Sequence, residues 1–411
     1  MLIYNLGIRL YALVIRLAAL KNVKAKQWVS GRKNWEQHLK EKLSSMDSAK
    51  RIWIHCASYG EFEQGRPLIE SIKLKYPEHK IILSFFSPSG YEPFKNWKGA
   101  DVVCYLPLDT KQNANTFIEL VKPNAVLFIK YEFWVNFLFQ LKQKSIPTYL
   151  ISAVFKRHHP FFKWYGNLFR RSLDTFTMMF IQDDYSAKLL KVIKMTNYEV
   201  IGDTRFDRVV EVKKAFKEIP QIVAFKGNSK LIVAGSTWIK DEQLVTKAFE
   251  KIKNENVKLL LVPHDIHEKY VNDTVTMLNK TSLSYSLFTE TINNQADVLV
   301  LNTMGLLSKS YFYADCAYIG GGFSGGLHNC LEASVYGVPV TFYGDQYSRY
   351  NEVFELLNLK AAISVKDEAS LEKAFRSFLF GNNQQLVKQK LEIYFNSNHD
   401  ISGKILNRIK F

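Results

Sequence analysis

Carboxylates are scarce in this chain: 39 Asp and Glu stand against 55 Lys and Arg in 411 residues, a formal net charge of +16. The imbalance points to an anionic partner, whether nucleic acid, phosphorylated lipid or membrane surface. Cysteine is scarcer still. Cys56, Cys104, Cys316 and Cys330 are scattered without metal-type spacing, and the first three fall in strand-like runs, so they read as small core hydrophobes in a reducing compartment. No low-complexity tract and no short internal repeat occurs, which removes the solenoid and array architectures. Uninterrupted apolar runs of spanning length are also missing. Met1–Leu20 comes nearest, but Arg9 and Arg16 break it. Each arginine would cost roughly 2.5–3.5 kcal/mol near a bilayer centre, so lying in the interface suits the segment better than spanning. The same arginines argue against a cleaved signal peptide.

The excess of positive charge is uneven. Residues 1–50 carry ten Lys or Arg and three Asp or Glu, a net +7 in about an eighth of the chain. Asn5, Arg9 and Arg16 recur at spacings of four and seven, on one side of a helix. In the interfacial arrangement the arginines face headgroups, and Lys21, Lys24 and Lys26 rest on anionic lipid. The alternative is an amphipathic helix packed on the protein's own body.

From residue 51 onward, short β-rich runs alternate with helical patterns. Seven runs in the first half begin at Arg51–Ser58 and end at Tyr198–Gly202; seven more run from Lys230–Gly235 to Ala361–Val365. That alternation predicts parallel sheets covered by helices, in two Rossmann-like halves. A mixed, charged stretch without a strong strand separates them. The expected domains are 1–30, a membrane-associating helix; 31–210, the first half; 211–228, a linker; and 229–411, the second half. Total length is sufficient for two cores.

Two segments carry chemistry. In Tyr318–Val340 a strand runs into glycines, Gly326 among them, and then into a helix expected to bear His328, Asn329 and Glu332 on one face. Glycines let a phosphate approach the backbone and a helix tip favours that anion, which suits a nucleotide whose ribose meets the carboxylate. A plain packing turn has the same pattern. Upstream, RIWIHCAS reads as a buried strand leading into Ser58, Tyr59, Gly60 and Glu61 at a helix start. A carboxylate there suits a general base and equally an ordinary first-turn acid.

Taken in order, GRKNW at Gly31–Trp35, WIHCASYGE at Trp53–Glu61, SPSGYE at Ser87–Glu92, YEFWVN at Tyr131–Asn136, GDTRFDRV at Gly202–Val209, AGST at Ala234–Thr237, NTMGLL at Asn302–Leu307 and HNCLE at His328–Glu332 resemble the 3-deoxy-D-manno-octulosonic acid (Kdo) transferase family of Gram-negative bacteria. The resemblance spans nearly the whole chain. It implies a GT-B glycosyltransferase, with two Rossmann-like domains facing a central cleft, that moves Kdo from CMP-Kdo to lipid IVA or a similar lipid A precursor. It further implies inversion at the anomeric carbon, no metal and no cofactor, and a place on the cytoplasmic face of the inner membrane.

By this resemblance Glu61 matches the family's catalytic glutamate. Glu332 falls to the ribose and Asn329 to the phosphate, while His328 either shapes the turn or bonds the phosphate. Ser236 and Thr237 either meet the donor or cap a helix. Pro263 and His264 stand where the family has Pro-Arg, and histidine there loses a permanent cation. Met304 and Gly305 offer backbone groups to cytosine. Ser58, Gly60, Ser89, Gly90 and Glu132 are the acceptor-side candidates. Lys130 replaces a common acid. The run Phe155–Arg171 interleaves cations with aromatics, suited to acyl chains and lipid phosphates or to stacking single-stranded nucleic acid. Asp183 and Asp184 read as a helix cap. The rivals are another GT-B lipid glycosyltransferase, a sugar-nucleotide epimerase and, more remotely, a nucleic-acid-binding protein, which Glu61 and Glu332 in the cleft disfavour.

Overall fold

Apolar residues on both faces of a strand require cover on both sides, and the strands here are buried in that way. In the computed structural model, which describes residues 1–44, 46, 49–324, 326–345, 347 and 350–411, the chain forms two compact units. The first comprises Met1–Arg208 and Asp400–Phe411, the second Val209–His399.

The first unit holds β1 (Arg51–Cys56), β2 (Lys80–Phe85), β3 (Val102–Tyr105), β4 (Ala125–Ile129), β5 (Thr148–Ala153), β6 (Met178–Ile181) and β7 (Tyr198–Val200), all parallel, in the order β3-β2-β1-β4-β5-β6-β7. Its first seven helices are α1 (Leu2–Ala18), α2 (Val23–Ser30), α3 (Trp35–Leu43), α4 (Tyr59–Lys75), α5 (Pro88–Phe94), α6 (Lys111–Val121) and α7 (Val135–Gln143). Trp53 of β1 is fully buried against Phe117, Phe128 and Phe137, and its indole N–H donates to Ser84 Oγ at 2.7 Å. That part of the WIHC motif therefore belongs to the core.

The second unit holds β8 (Lys230–Thr237), β9 (Val257–Pro263), β10 (Tyr285–Leu287), β11 (Val298–Val300), β12 (Cys316–Ile319), β13 (Val340–Tyr343) and β14 (Ala362–Val365), again parallel, in the order β10-β11-β9-β8-β12-β13-β14. All fourteen runs expected from the sequence form strands, and both halves are helix-covered parallel sheets of Rossmann type.

Three local differences have clear causes. The stretch expected as a linker is largely helical, and Ile219, Ile222 and Phe225, three apart, put one face into the second unit's core. The final residues return to the first unit: Ile401 and Ser402 backbone N–H groups donate to the Asp207 carboxylate at 3.0 and 2.6 Å. Most aromatics of Phe155–Arg171 are core as well. Phe155 and Phe161 are buried around Phe133, Arg170 donates to the carbonyls of Phe161 and Lys163 at 3.0 Å each, and only Trp164 and Tyr165 stand exposed.

α1 divides its faces unexpectedly. Asn5, expected with the headgroup-facing arginines, points inward and accepts from Asn136 Nδ2 at 3.0 Å, beside Tyr4, whose hydroxyl donates to Asp109. Leu2, Leu6, Leu10, Leu13 and Leu17 form an exposed stripe on the other side. At about 100° per residue, Arg9 and Arg16 fall on the flank between the two faces. Arg32 of the GRKNW motif is a structural clamp, donating to Leu106 O, Trp28 O and Phe86 O and lying over the Trp28 ring at 4.0 Å. Its burial lowers its pKa to about 9.

Candidate active site

In parallel sheets ligands gather beyond the carboxyl ends of strands where the strand order reverses. In the first unit that point lies between β1 and β4. Ser58 holds the N-cap position of α4 without a side-chain capping bond, and Glu61 occupies the first turn, with Oε2 accepting from the backbone N–H of Ala57. The first-turn role is therefore real, but it occupies only one carboxylate oxygen. Burial first and Glu132 second push the Glu61 carboxyl up to about 8, against the Ala57 hydrogen bond and the charges of His55 and Lys130. The result is an acid that holds its proton loosely near neutrality, as a general base requires.

Beneath it lies a network that sequence reasoning missed. His55 and Ser84 are direct partners in the β1–β2 register, which brings the imidazole Nδ1 to 2.8 Å from Ser84 Oγ and 3.1 Å from its carbonyl. His55 Nε2 lies 2.9 Å from Glu132 Oε2, and the Trp134 indole N–H donates to the same oxygen. Burial lowers His55 to about 3, keeping the ring neutral, and raises Glu132 to about 7. Glu132 was an acceptor-contact candidate, but its carboxyl is buried and turned onto His55 and Trp134. Only the adjacency of β1 and β4 could have announced the pairing, since His55 and Glu132 are 77 residues apart.

The neighbouring turn adjoins this site. A Cβ on Gly90 would come within 3.1 Å of the Ser58 backbone, so the SPSG turn and the start of α4 are in contact. Ser89 Oγ is 2.9 Å from Ser87 Oγ, and around Gly60 a Cβ would meet nothing within 4 Å. Lys130, at φ 68°, leaves β4 with its ammonium over the Tyr131 ring at 5.3 Å. Asp203, bound by Arg205 Nε at 2.7 Å and Gln64 Nε2 at 2.8 Å, stays ionised: burial would raise it, but Arg205 outweighs burial.

In the second unit the reversal falls between β8 and β12. The carboxyl ends of β11, β9, β8 and β12 bring together Met304–Gly305, Pro263–His264, Ser236–Thr237 and the glycine turn. Gly325 lies outside the described residues; Gly326 is exposed. Here one expectation is corrected. The helix after the glycines is a single turn, Leu331–Ser334, so His328 and Asn329 precede it and do not share a helical face with Glu332. Asn329 Oδ1 accepts from the Leu331 backbone N–H, and its Nδ2 donates to Glu332 Oε1 at 3.3 Å, so these two still meet. His328 instead stacks on His264 with centroids 4.5 Å apart, and His264 in turn packs on Trp238 at 4.6 Å. Burial lowers both imidazoles, His328 to about 4, leaving them neutral.

Thr237 is no cap. Its hydroxyl donates to Glu242 Oε1 at 3.1 Å, while Trp238 opens the helix Ile239–Glu250. Ser236 sits at φ 54°, at the register shift between Gly235 and Thr237 near the end of β8. Asp241, also missed, accepts from Tyr318 OH at 2.8 Å, Gly321 N at 3.1 Å and Trp238 N at 3.0 Å, tying the glycine turn to the start of the helix Ile239–Glu250. Met304 is exposed and Gly305 adopts φ 81°. A Cβ at Gly320 would fall 2.2 Å from Ser236 O and 2.8 Å from Thr237 Cα, both backbone. Gly320→Ala should therefore cost about 1–3 kcal/mol of stability and lower the melting temperature by several degrees. An unchanged melting curve would mean that β8 and β12 separate easily there. Asp183 caps its helix as expected, accepting from Ser186 N at 2.6 Å. Among the described residues no group of three or more His, Cys, Asp or Glu could hold a metal ion.

Residues 33–208 match the family model described as 3-Deoxy-D-manno-octulosonic-acid transferase (kdotransferase). The 3-deoxy-D-manno-octulosonic acid transferase of Aquifex aeolicus (strain VF5) is 28% identical over 378 residues, 90% of this chain and 95% of that protein. The protein of the same name from Haemophilus influenzae is 26% identical over 340 residues, 80% of this chain and 79% of its own. Among solved structures, a putative UDP-N-acetylglucosamine 2-epimerase from Listeria monocytogenes aligns with a TM-score of 0.59 over 87% of this chain and 95% of its own, at 12% identity, a likeness of fold alone.

Proposed function

The chain belongs to the 3-deoxy-D-manno-octulosonic acid (Kdo) transferase family, and from that membership we propose that Glu61 is the base that removes the acceptor proton when Kdo passes from CMP-Kdo to lipid IVA or a related lipid A precursor. The protein is a glycosyltransferase of lipopolysaccharide biosynthesis, dependent on CMP-Kdo. The assignment of Glu61 is carried by one observation: a carboxyl raised to about 8 stands at the strand-order reversal of the unit that the family model matches. Its second oxygen has no hydrogen-bond partner among the described residues, so an acceptor hydroxyl can approach it.

On this reading the hydroxyl gives its proton to Glu61 as its oxygen attacks the anomeric carbon of Kdo from the face opposite CMP. The bond to the CMP phosphate breaks with its electrons staying on the phosphate oxygen, and the configuration inverts. CMP is a good leaving group, so neutral donors at the glycine turn suffice to receive it. Glu332 takes the ribose hydroxyls, Asn329 and the turn take the phosphate, and Met304–Gly305 take the cytosine. The stacked His264 and His328 supply hydrogen-bonding nitrogens where a fixed cation would be unable to change its charge. Ser58, Gly60, Ser89 and Gly90 border the acceptor side, and Glu132 positions His55 behind Glu61. Incubating the purified protein with CMP-Kdo and lipid IVA and weighing the products tests the reading; an acceptor that gains no Kdo mass refutes it.

No helix among the described residues is long and apolar enough to cross a membrane. The exposed leucine stripe of α1, flanked by Arg9 and Arg16 and followed by exposed Lys21, Lys24 and Lys26, supports seating on the surface of the inner membrane. Exposed Trp164 and Tyr165 suit the same interface. Replacing Leu6, Leu10 and Leu13 together by Asn leaves the inward contacts of Tyr4 and Asn5 intact. It should weaken binding to anionic liposomes by roughly a hundredfold, the loss of a few kcal/mol of apolar burial. Flotation equal to that of the unaltered protein would remove α1 as the anchor.

A further inference from the structure

Between α1 and the body of the first unit lies a cavity of ≈ 710 Å³ that the transfer reaction does not use. Asn5 and Arg9 line it from α1, Thr110 and Lys111 from the start of α6, and Gln140 from α7; the rest of its wall is further uncharged side-chain amide, and no carboxylate lines it. The nearby acids are already satisfied. Asp109 accepts from Tyr4 OH, Asn136 N and Phe137 N, and Glu119 pairs with Lys144 at 3.4 Å and accepts from Asn115 at 2.9 Å. Neither Arg9 nor Lys111 has an ion-pair partner among the described residues.

Two cations surrounded by amides and a hydroxyl, without a competing carboxylate, form a site for an oxyanion. Arginine binds such a group in a fork while lysine adds a point charge. The volume lies within the range of small-molecule pockets and exceeds what a bare ion would fill. Arg9 stands on the flank of the exposed leucine stripe, so on a seated α1 it lies at the boundary between acyl chains and water. We propose that this cavity holds the phosphoryl headgroup of a membrane lipid. The proposal rests on the membrane seating of α1. Binding there would tie α1 to the body through a lipid bridging both, with Arg9 contributed by α1 and Lys111 by α6.

The test uses the full chain and phosphatidylcholine vesicles containing either phosphatidic acid or phosphatidylglycerol, adjusted to equal surface potential. The unaltered protein should bind the exposed phosphate monoester of phosphatidic acid several-fold more tightly. The double variant Arg9→Gln, Lys111→Gln should lose that preference and bind phosphatidic acid vesicles roughly tenfold more weakly. Lys21→Gln with Lys24→Gln, outside the cavity, should weaken both vesicle types alike. Arg9→Lys with Lys111→Arg should retain the preference, which separates a loss of charge from misfolding. Equal binding to both lipids by the unaltered protein, or a preference that survives in the double variant, overturns the proposal. Inorganic phosphate binding to the free protein as tightly as phosphatidic acid overturns the lipid assignment in favour of free phosphate. If no vesicle is bound, the seating of α1 fails. Titration with monomeric short-chain phosphatidic acid then decides the cavity alone: binding that disappears in the double variant sustains it, and no binding overturns it.

Discussion

Glu61→Gln is expected to lower turnover by roughly 10²–10⁴-fold while leaving CMP-Kdo affinity nearly unchanged. Glutamine keeps the shape and can still accept the Ala57 N–H bond, so the loss isolates proton acceptance from helix capping. The pH profile sharpens the test. A carboxyl raised to about 8 carries its reactive, ionised form in about a tenth of molecules at pH 7, so kcat/KM should climb through pH 7–9 and flatten above. That limb should vanish in the variant. Stability should move the other way. Because the folded-state pKa of Glu61 lies above its unfolded value, its contribution is fully present below about pH 4.5 and is lost as pH rises through about 8. The non-titrating glutamine should therefore make the protein relatively more heat-stable at alkaline pH. Turnover close to that of the unaltered enzyme, or a rate limb near pH 4–5, would remove Glu61 from proton transfer.

Glu332→Ala should weaken CMP binding by about 1.5–3 kcal/mol, or ten- to a hundredfold, because the ribose hydroxyls lose a charged acceptor. On the proposed assignment, the single helical turn holding Glu332 would give a phosphate little dipole support, leaving more of the donor affinity to side chains. Glu332→Gln should fall between, since it can still accept from Asn329 Nδ2 but lacks charge. Calorimetry with CMP checks the order. Unchanged affinity in the alanine variant would take Glu332 out of the nucleotide site.

Much of the framework was legible because it is encoded locally. Short Val, Ile and Leu runs such as Ile81–Leu83 and Leu259–Leu261 suit buried strands, and the helical periodicity between them suits crossovers, so both parallel sheets followed. The position of Glu61 was equally local, since Ser58 can open a helix only where the strand ends. The helix at Leu331–Ser334 is shorter than the helical spacing of His328, Asn329 and Glu332 predicts, because the glycines before them release the chain from any periodic conformation.

The sequence by itself determined fourteen strands, their parallel sense, the helix-tip carboxylate and the excess of cations at the amino terminus, since each depends on neighbours within a few residues. Tertiary structure alone decided what those residues meet. His55 faces Ser84 through strand register and Glu132 through the adjacency of β1 and β4; His264 stacks on His328 because β9 and β12 flank β8; and Asn5 turns inward because Asn136 waits on α7. Those partners are dozens of residues or more apart along the chain. Hydrogen bonding, stacking and the burial that shifts their pKa values act only over a few ångströms, and that proximity exists only once the sheets have formed.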